Sequence, residues 1–374
     1  MILRLLIPAI LLAASLHLAA QENPTPESPL PDSTAQDAQP QESRNDYRYS
    51  LAVIDDVTLY GNLQVPIPKL LNQALIEPTF TYRYKPTFSF STSLVGVADK
   101  YTDTYTQLRV KETYVGVSAG DFDFMAVRRV VRWGTGYAFT AIGVLDPPRD
   151  PTNPTDRLNL NEGRDMVKAD FVRGPHALTA AWSSAALAPA SANLRDTTAF
   201  RYNVLVHGFD TSLIAGNDRG GDAFGGLTFT RVLGEAWEIH GEAAWREHEA
   251  ILLGAKYTTS SGITFIGEFF SPPNIPYYQD VTLFPLTGRQ NYIFLRAGKT
   301  RLRELPGWKQ WDLAASAVAN LNDRSYTAVF DGTRRFGNHF SSYIHLEIPA
   351  GNNKSEYGAT PYSAATSFGL RFQL

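Results

Sequence analysis

The chain has 374 residues, 34 Lys and Arg against 37 Asp and Glu, and a net charge of −3; it lacks the basic footprint of a nucleic-acid binder, so no nucleic-acid partner is expected. It contains no Cys, which removes disulfides, thiolate metal sites, a Cys nucleophile and a lipid-modified N-terminal Cys. Aromatic residues make up 12% of a chain whose mean hydropathy is −0.20, a mixture that suits sheets with one apolar and one wet face, and no internal run reaches the ~20 apolar residues of a membrane helix.

At the N-terminus, Arg4 precedes an apolar run from Leu5 to Leu16, and Leu18-Ala-Ala20 follows before Gln21. A charged start, a short apolar stretch and small residues predict a Sec signal peptide over 1–20, cut near Ala20. The segment 21–47 is rich in Pro, Ser, Gln and acids without apolar periodicity. It predicts a disordered periplasmic linker, too short for a folded plug, and leaves 48–374 as one domain.

That domain shows almost no helical periodicity. Segments of about ten residues alternate apolar and polar between turns, the pattern of a transmembrane β-barrel. In Trp237–Arg246, Trp237, Ile239, Ala243 and Trp245 share one face, and Glu238, His240, Glu242 and Arg246 the other. Tight turns are predicted at 119–121, 173–176, 207–210, 233–235, 260–262 and 336–338. Between them fall longer links at 134–163, 186–196, 217–221, 271–290 and 349–361. Short and long links alternate, as periplasmic turns and extracellular loops do. Counting gives about 18 antiparallel strands, or 16, with both termini periplasmic. The last strand puts Phe368, Leu370, Phe372 and Leu374 on one face, and resembles the C-terminal strand by which outer-membrane proteins engage their assembly machinery. A periplasmic β-sandwich has the same period, but not the sustained strand series, the alternating loop lengths or the terminal strand.

In such a barrel the apolar face meets lipid and the polar face lines the lumen. The first half then offers a basic wall of Arg109, Lys111, Arg128, Arg132, Lys168 and Arg201. The second half offers a more acidic one of Glu238, Glu242, Glu268, Asp312, Asp331 and Glu347. Opposed charges of this kind place a field across a pore. Arg129 shares the apolar side of its strand with Met125, Val127 and Val131. A charge facing lipid costs roughly 2–4 kcal/mol, which predicts a bulge there or a position near the interface.

The link after this strand is a candidate constriction. Trp133, Gly134 and Gly136 open it, Pro147, Pro148, Pro151 and Pro154 stiffen it, and Asp146, Arg149, Asp150, Asp156, Arg157 and Glu162 stud it. An ordered surface loop is the alternative. The spacing of Asp146, Asp150 and Asp156 fits no calcium loop, so neither metal nor cofactor is expected. His240 beside Glu238 and Glu242, and His345 beside Glu347, resemble base–carboxylate pairs. No nucleophile motif accompanies them, and no catalytic residue is assigned.

Glu112-Thr-Tyr-Val115, Gly120-Asp-Phe and Arg128-Arg-Val-Val-Arg-Trp-Gly134, followed by the Asp/Pro loop, resemble a pattern in large Gram-negative porin-like barrels, the alginate-export-like and related families among them. The likeness covers Glu112 to Arg164, and Val127 stands where that pattern often has Gly. It implies an outer-membrane channel or exporter and names no substrate. The expectation is a passive or weakly selective porin for small solutes, including anionic ones. A non-conducting barrel recognising a partner or surface polysaccharide through its long loops is the alternative.

Overall fold

In the computed structural model, residues 45–65, 68–84, 87–100, 104–146, 149–154, 156–158, 160–184, 196–218, 222–246, 249–272, 290–302 and 308–374 are described. The segment expected to be a signal peptide, most of the expected linker, Pro147 and Pro148 lie outside them. Residues 45–47, assigned above to the linker, already belong to the first strand.

Eighteen strands follow one another: β1 Asn45–Gly61, β2 Leu70–Tyr84, β3 Phe88–Lys100, β4 Thr104–Ala119, β5 Phe122–Arg129, β6 Arg164–Arg173, β7 His176–Ser183, β8 Thr197–Val206 and β9 Phe209–Asp218, then β10 Ala223–Leu233, β11 Trp237–Trp245, β12 Glu249–Thr258, β13 Ile263–Ser271, β14 Tyr292–Lys299, β15 Trp311–Asn320, β16 Ser325–Phe336, β17 Phe340–Ala350 and β18 Ala364–Gln373. Each pairs antiparallel with the next, and β1 pairs with β18 from Ala52↔Gln373 to Gly61↔Ala364. The sheet therefore closes and has no free edge. Closure excludes the sandwich, and the strand count is 18 rather than 16.

The turns at 120–121, 174–175, 207–208 and 337–339 share one mouth with the start of β1 and the end of β18. Gly120, Gly174, Gly208 and Gly337 all have positive φ there, a conformation that glycine adopts without steric cost. The long links open on the other mouth. The connection at 300–310 runs against this rule, being long on the short-turn side.

Outside, strand alternation displays Leu108, Val115, Phe124, Trp182, Phe200, Leu213, Trp237, Trp245, Leu295, Phe330, Phe368 and Leu370, all at least 42% exposed. A continuous apolar surface of this kind belongs in hydrocarbon rather than water. Near the short-turn mouth, ring pairs stand between neighbouring strands: Tyr47 with Tyr82 at 4.9 Å, Trp237 with Tyr257 at 4.6 Å and Phe340 with Phe372 at 4.8 Å. They form the aromatic girdle expected of an interface.

The interior also holds apolar clusters. Val127, Met166, Ala181, Ala199, Ile214 and Phe224 of β5 to β10 pack with Trp133, Ile142, Val144 and Leu145. Leu252, Phe270, Tyr292, Phe294 and Val318 of β12 to β15 pack with Ala138 and Phe139. Ile54, Leu75, Val95 and Val97 of β1 to β3 pack with Leu158. The partners in every case come from residues 130–163, between β5 and β6. The residues of that segment that make these contacts are inside the barrel.

Candidate functional site: an inward loop roped to the barrel wall

The sequence turns 130–163 inward through one carboxylate above all. Glu242, on the inner face of β11 and 2% exposed, accepts the backbone N–H groups of Thr135 (2.5 Å), Gly136 (2.9 Å), Ala141 (2.7 Å) and Ile142 (3.2 Å). It also accepts the Thr140 hydroxyl at 3.1 Å. Backbone donors inside a barrel need acceptors, and one carboxylate offers about four lone-pair sites. Glu268 on β13 takes the N–H groups of Tyr137 and, at 2.9 Å, Ala138. Glu238 accepts the Tyr137 hydroxyl at 2.8 Å and stands 3.6 Å from Lys256.

The glycines allow this close approach. A Cβ on Gly134 would lie 2.3 Å from Thr140 Oγ1 and 2.8 Å from Glu242 Oε1; on Gly136 it would lie 2.4 Å from the Phe139 carbonyl. Within the loop, Asp146 accepts the N–H groups of Trp133 (2.8 Å) and Gly134 (3.2 Å) and pairs with Arg149 at 3.6 Å. Arg149 in turn donates to the Gly134 carbonyl at 3.0 Å. Asp150 accepts Thr152 N–H at 2.8 Å, and Asp156 accepts Asn161 Nδ2 at 2.8 Å. Both are turn contacts.

The far end of the loop is tied to the opposite wall. Arg157 donates to Ser367 Oγ at 2.9 Å and stands 3.7 Å from Asp56, while Arg371 donates to the Arg157 carbonyl. Glu162 pairs with Arg109, and the N–H of Gly163 reaches the Lys111 carbonyl at 3.0 Å.

The expected basic wall takes a different form. Arg109 faces inward but is occupied by Glu162. Lys111 is 4% exposed and paired with Glu77 at 2.8 Å. A register shift beside it, Ser93↔Glu112 then Leu94↔Val110, is a bulge that lets both Lys111 and Glu112 point inward. Glu112 accepts Val130 N–H at 2.9 Å. Lys168 pairs with Asp170 at 2.7 Å, and Arg201 donates to Ser212 Oγ at 2.9 Å.

Arg128 is the correction. Phe122 and Phe124 on β5 are 46% and 52% exposed, whereas Val127 is 7% exposed and packed inside. Alternation therefore puts Arg128 on the outer face and Arg129 on the inner one, the reverse of the expected parity. The physical reason is the loop: its apolar core makes the lumen side of β5 greasier than sequence polarity suggests. Arg128 forms a two-pronged pair with Asp165 at 2.8 and 2.7 Å at the loop end of the strand, and Arg129 lies over the Tyr114 ring at 5.5 Å. Arg132 lies beyond the end of β5, exposed and in no ion pair among the described residues. We expect Arg128→Ala to leave ion selectivity unchanged while lowering thermal stability by roughly 1–3 kcal/mol, the cost of stranding a partly buried carboxylate. Reversal potentials and melting curves of the variant check both halves.

The remaining acids are partnered too. Asp331 binds His345 at 2.7 Å and Arg296 at 3.1 Å. Asp312 binds Arg335 at 2.7 Å, and Glu347 accepts the Tyr362 hydroxyl at 3.2 Å. His240 contacts Glu268 at 3.0 Å. Both histidines thus brace carboxylates of the wall.

Below the loop, near the short-turn mouth, a cavity of about 390 Å³ is lined by Arg157, Arg296, Lys299 and Arg371 facing Asp312 and Asp331. Sequence reasoning assigned Arg296 and Arg371 no role. It missed Asp56, Glu77 and Tyr137, whose partners lie up to 287 positions away in the chain or across the lumen. One local signal for the inward fold was present: Ala138-Phe139, Ile142 and Val144-Leu145 are too apolar for a surface excursion.

No protein-family model matches the chain, and no curated protein matches it. Solved structures do. One is OccK5 (OpdH) of Pseudomonas aeruginosa, with a TM-score of 0.59 and 9% identity over 88% of this chain and 98% of that one. Another is a triple mutant of the Rhodopseudomonas blastica porin, with a TM-score of 0.51 and 9% identity over 88% of this chain and all of that one. At these identities the likeness establishes the porin-type barrel fold.

Proposed function

We propose that this chain is an outer-membrane channel of a Gram-negative bacterium, with its termini and short turns on the periplasmic side. The loop 130–163 forms its constriction, and it passes small solutes with a preference for anions. The observation that carries this reading is the loop itself, held inside a closed barrel beside a cavity where Arg157, Arg296, Lys299 and Arg371 outnumber Asp312 and Asp331. Asp331 is already shared by Arg296 and His345, and Asp312 is bound by Arg335. Asp56 stands beside Arg157, yet the cations still outnumber the acids, and the field at the periplasmic vestibule is taken as positive. Positive charge on low-dielectric walls concentrates anions and repels cations.

The test is the reversal potential of purified protein in planar bilayers under a salt gradient. Wild type is expected to favour chloride over potassium, and Arg157→Ala with Arg371→Ala to abolish the preference. An unchanged preference in the double variant removes the anion reading. Absence of conductance steps in wild type removes the channel.

The second reading is a closed barrel that binds a partner through its outer loops. The burial of Trp133, Phe139 and Leu158 against widely separated strands favours it, since the loop touches much of the inner circumference. Partner capture by a non-conducting wild type, lost when the outer loops are shortened, is its signature.

A further inference from the structure

The β17–β18 loop, residues 351–363, also folds inward, from the long-loop mouth. Ser355, Glu356 and Tyr357 are 2%, 3% and 7% exposed. Tyr357 belongs to the cluster that seats Phe139 of the inward loop, together with Phe270, Tyr292 and Phe294. Its backbone N–H donates to Ser325 Oγ at 3.2 Å, and that of Glu356 to Asp323 Oδ2 at 2.6 Å. The two loops therefore share one hydrophobic contact, and Glu356 sits beside it.

The surroundings of the Glu356 carboxyl are unusual for an acid. Oε2 accepts Asn320 Nδ2 at 2.7 Å, and Oε1 is buried with no donor in hydrogen-bond geometry. The titratable groups facing it are the Tyr292 hydroxyl from β14 and the Asp323 carboxylate from the β15–β16 turn. The nearby cations on the packed elements, Arg324 on that turn and Lys354 on the loop itself, are exposed and form no ion pair with it among the described residues. An uncompensated buried carboxylate is costly, and such a group stays protonated instead.

We propose that the β17–β18 loop is a latch on the inward loop, seated while the Glu356 carboxyl is neutral and released when that carboxyl ionises. Burial, the largest influence, pushes the Glu356 carboxyl up to about 7, with Asp323 pushing the same way and the Asn320 hydrogen bond and the nearby Tyr292 hydroxyl opposing. In the released loop the group returns to the ordinary range near 4.5. The seated state thus binds the proton more tightly. Its stabilisation is full below about pH 4.5, fades as pH rises, and is gone above about 7. Release withdraws Tyr357 from the Phe139 cluster and loosens the constriction. That last step rests on the channel reading; the latch does not.

The chain has no Cys, so single introduced thiols report cleanly. Ala359, 6% exposed in the seated loop, becomes Ala359→Cys; Lys354→Cys on the exposed rim normalises for thiolate fraction. Both are labelled with a charged maleimide in liposomes between pH 5 and pH 8. The ratio of buried to exposed labelling is expected to climb roughly a hundredfold, two pH units of tighter proton binding. It is expected to stay low and flat when Glu356→Gln is added. A ratio independent of pH, or one whose rise survives Glu356→Gln, overturns the latch. Labelling that follows pH in a protein without conductance steps supports the latch and removes the channel. Steady conductance with flat labelling removes the latch and keeps the channel.

Discussion

Glu242→Ala is expected to enlarge the pore several-fold in single-channel conductance while leaving the barrel closed. The side chain accepts four backbone N–H groups and the Thr135 and Thr140 hydroxyls of the inward loop. Each stranded buried donor costs about 1–3 kcal/mol, more than a single loop conformation can absorb. The loop escapes this cost by leaving the wall and hydrating in the lumen. The β-ladder carries backbone pairing that does not pass through this side chain, as Glu242↔Leu252 and Thr228↔Glu242 are main-chain register pairs. Planar-bilayer step size reads the first effect, and resistance of the folded band to unfolding in detergent reads the second. An unchanged step size in a folded variant refutes the role assigned to Glu242.

Gly136→Val acts on the same loop by a different force. The new Cβ meets the Phe139 carbonyl at 2.4 Å and Leu252 Cδ1 at 2.6 Å. The first obstacle is backbone and cannot rotate away, so the turn holding Phe139 has to open. Overpacking typically costs 1–3 kcal/mol, and the Phe139 stack on Phe270, at 4.9 Å, is lost with it. We expect faster proteolysis within 130–163 and a noisier, larger conductance. Gly225→Ala is the matched control, since its Cβ meets only the Ile214 carbonyl at 3.9 Å. Equal protease resistance in the two variants would falsify the close-packing account.

Much of this architecture is written locally. Trp237 to Arg246 alternates as a strand must, and the observed β11 ends one residue earlier. The turns around Gly120, Gly174, Gly208, Gly234, Gly262 and Gly337 fall where glycine supplies positive φ. The outward positions of Trp237, Trp245 and Leu370 follow from the same period of two. The candidate loop was recognised too, from its glycines and prolines. Its direction was left open between lumen and surface.

The acidic side of the lumen illustrates the limit. Sequence polarity makes Glu238, Glu242 and Glu268 a field-setting wall; in the structure Glu242 and Glu268 accept loop backbone N–H groups and Glu238 accepts the Tyr137 hydroxyl. A carboxylate on a polar strand face looks the same in sequence whether it meets water or four amides. The cavity near the short-turn mouth is the converse case. Arg157 comes from the loop, Arg296 from β14 and Arg371 from β18, and only barrel closure brings them to one cavity.

By itself, then, the sequence determined the period and antiparallel order of the strands and which mouth carries the short turns, and narrowed their number to 18 or 16. These depend on alternation and turn chemistry within a few residues. Tertiary structure decided which face of β5 is the inside, where the 130–163 loop goes, and which charges meet. Polarity marks the lumen only where the lumen is wet. Where the loop fills it, Met125 and Val127 face inward and Arg128 faces out with Asp165. That inversion depends on what a distant segment packs against, and no window along the chain contains it.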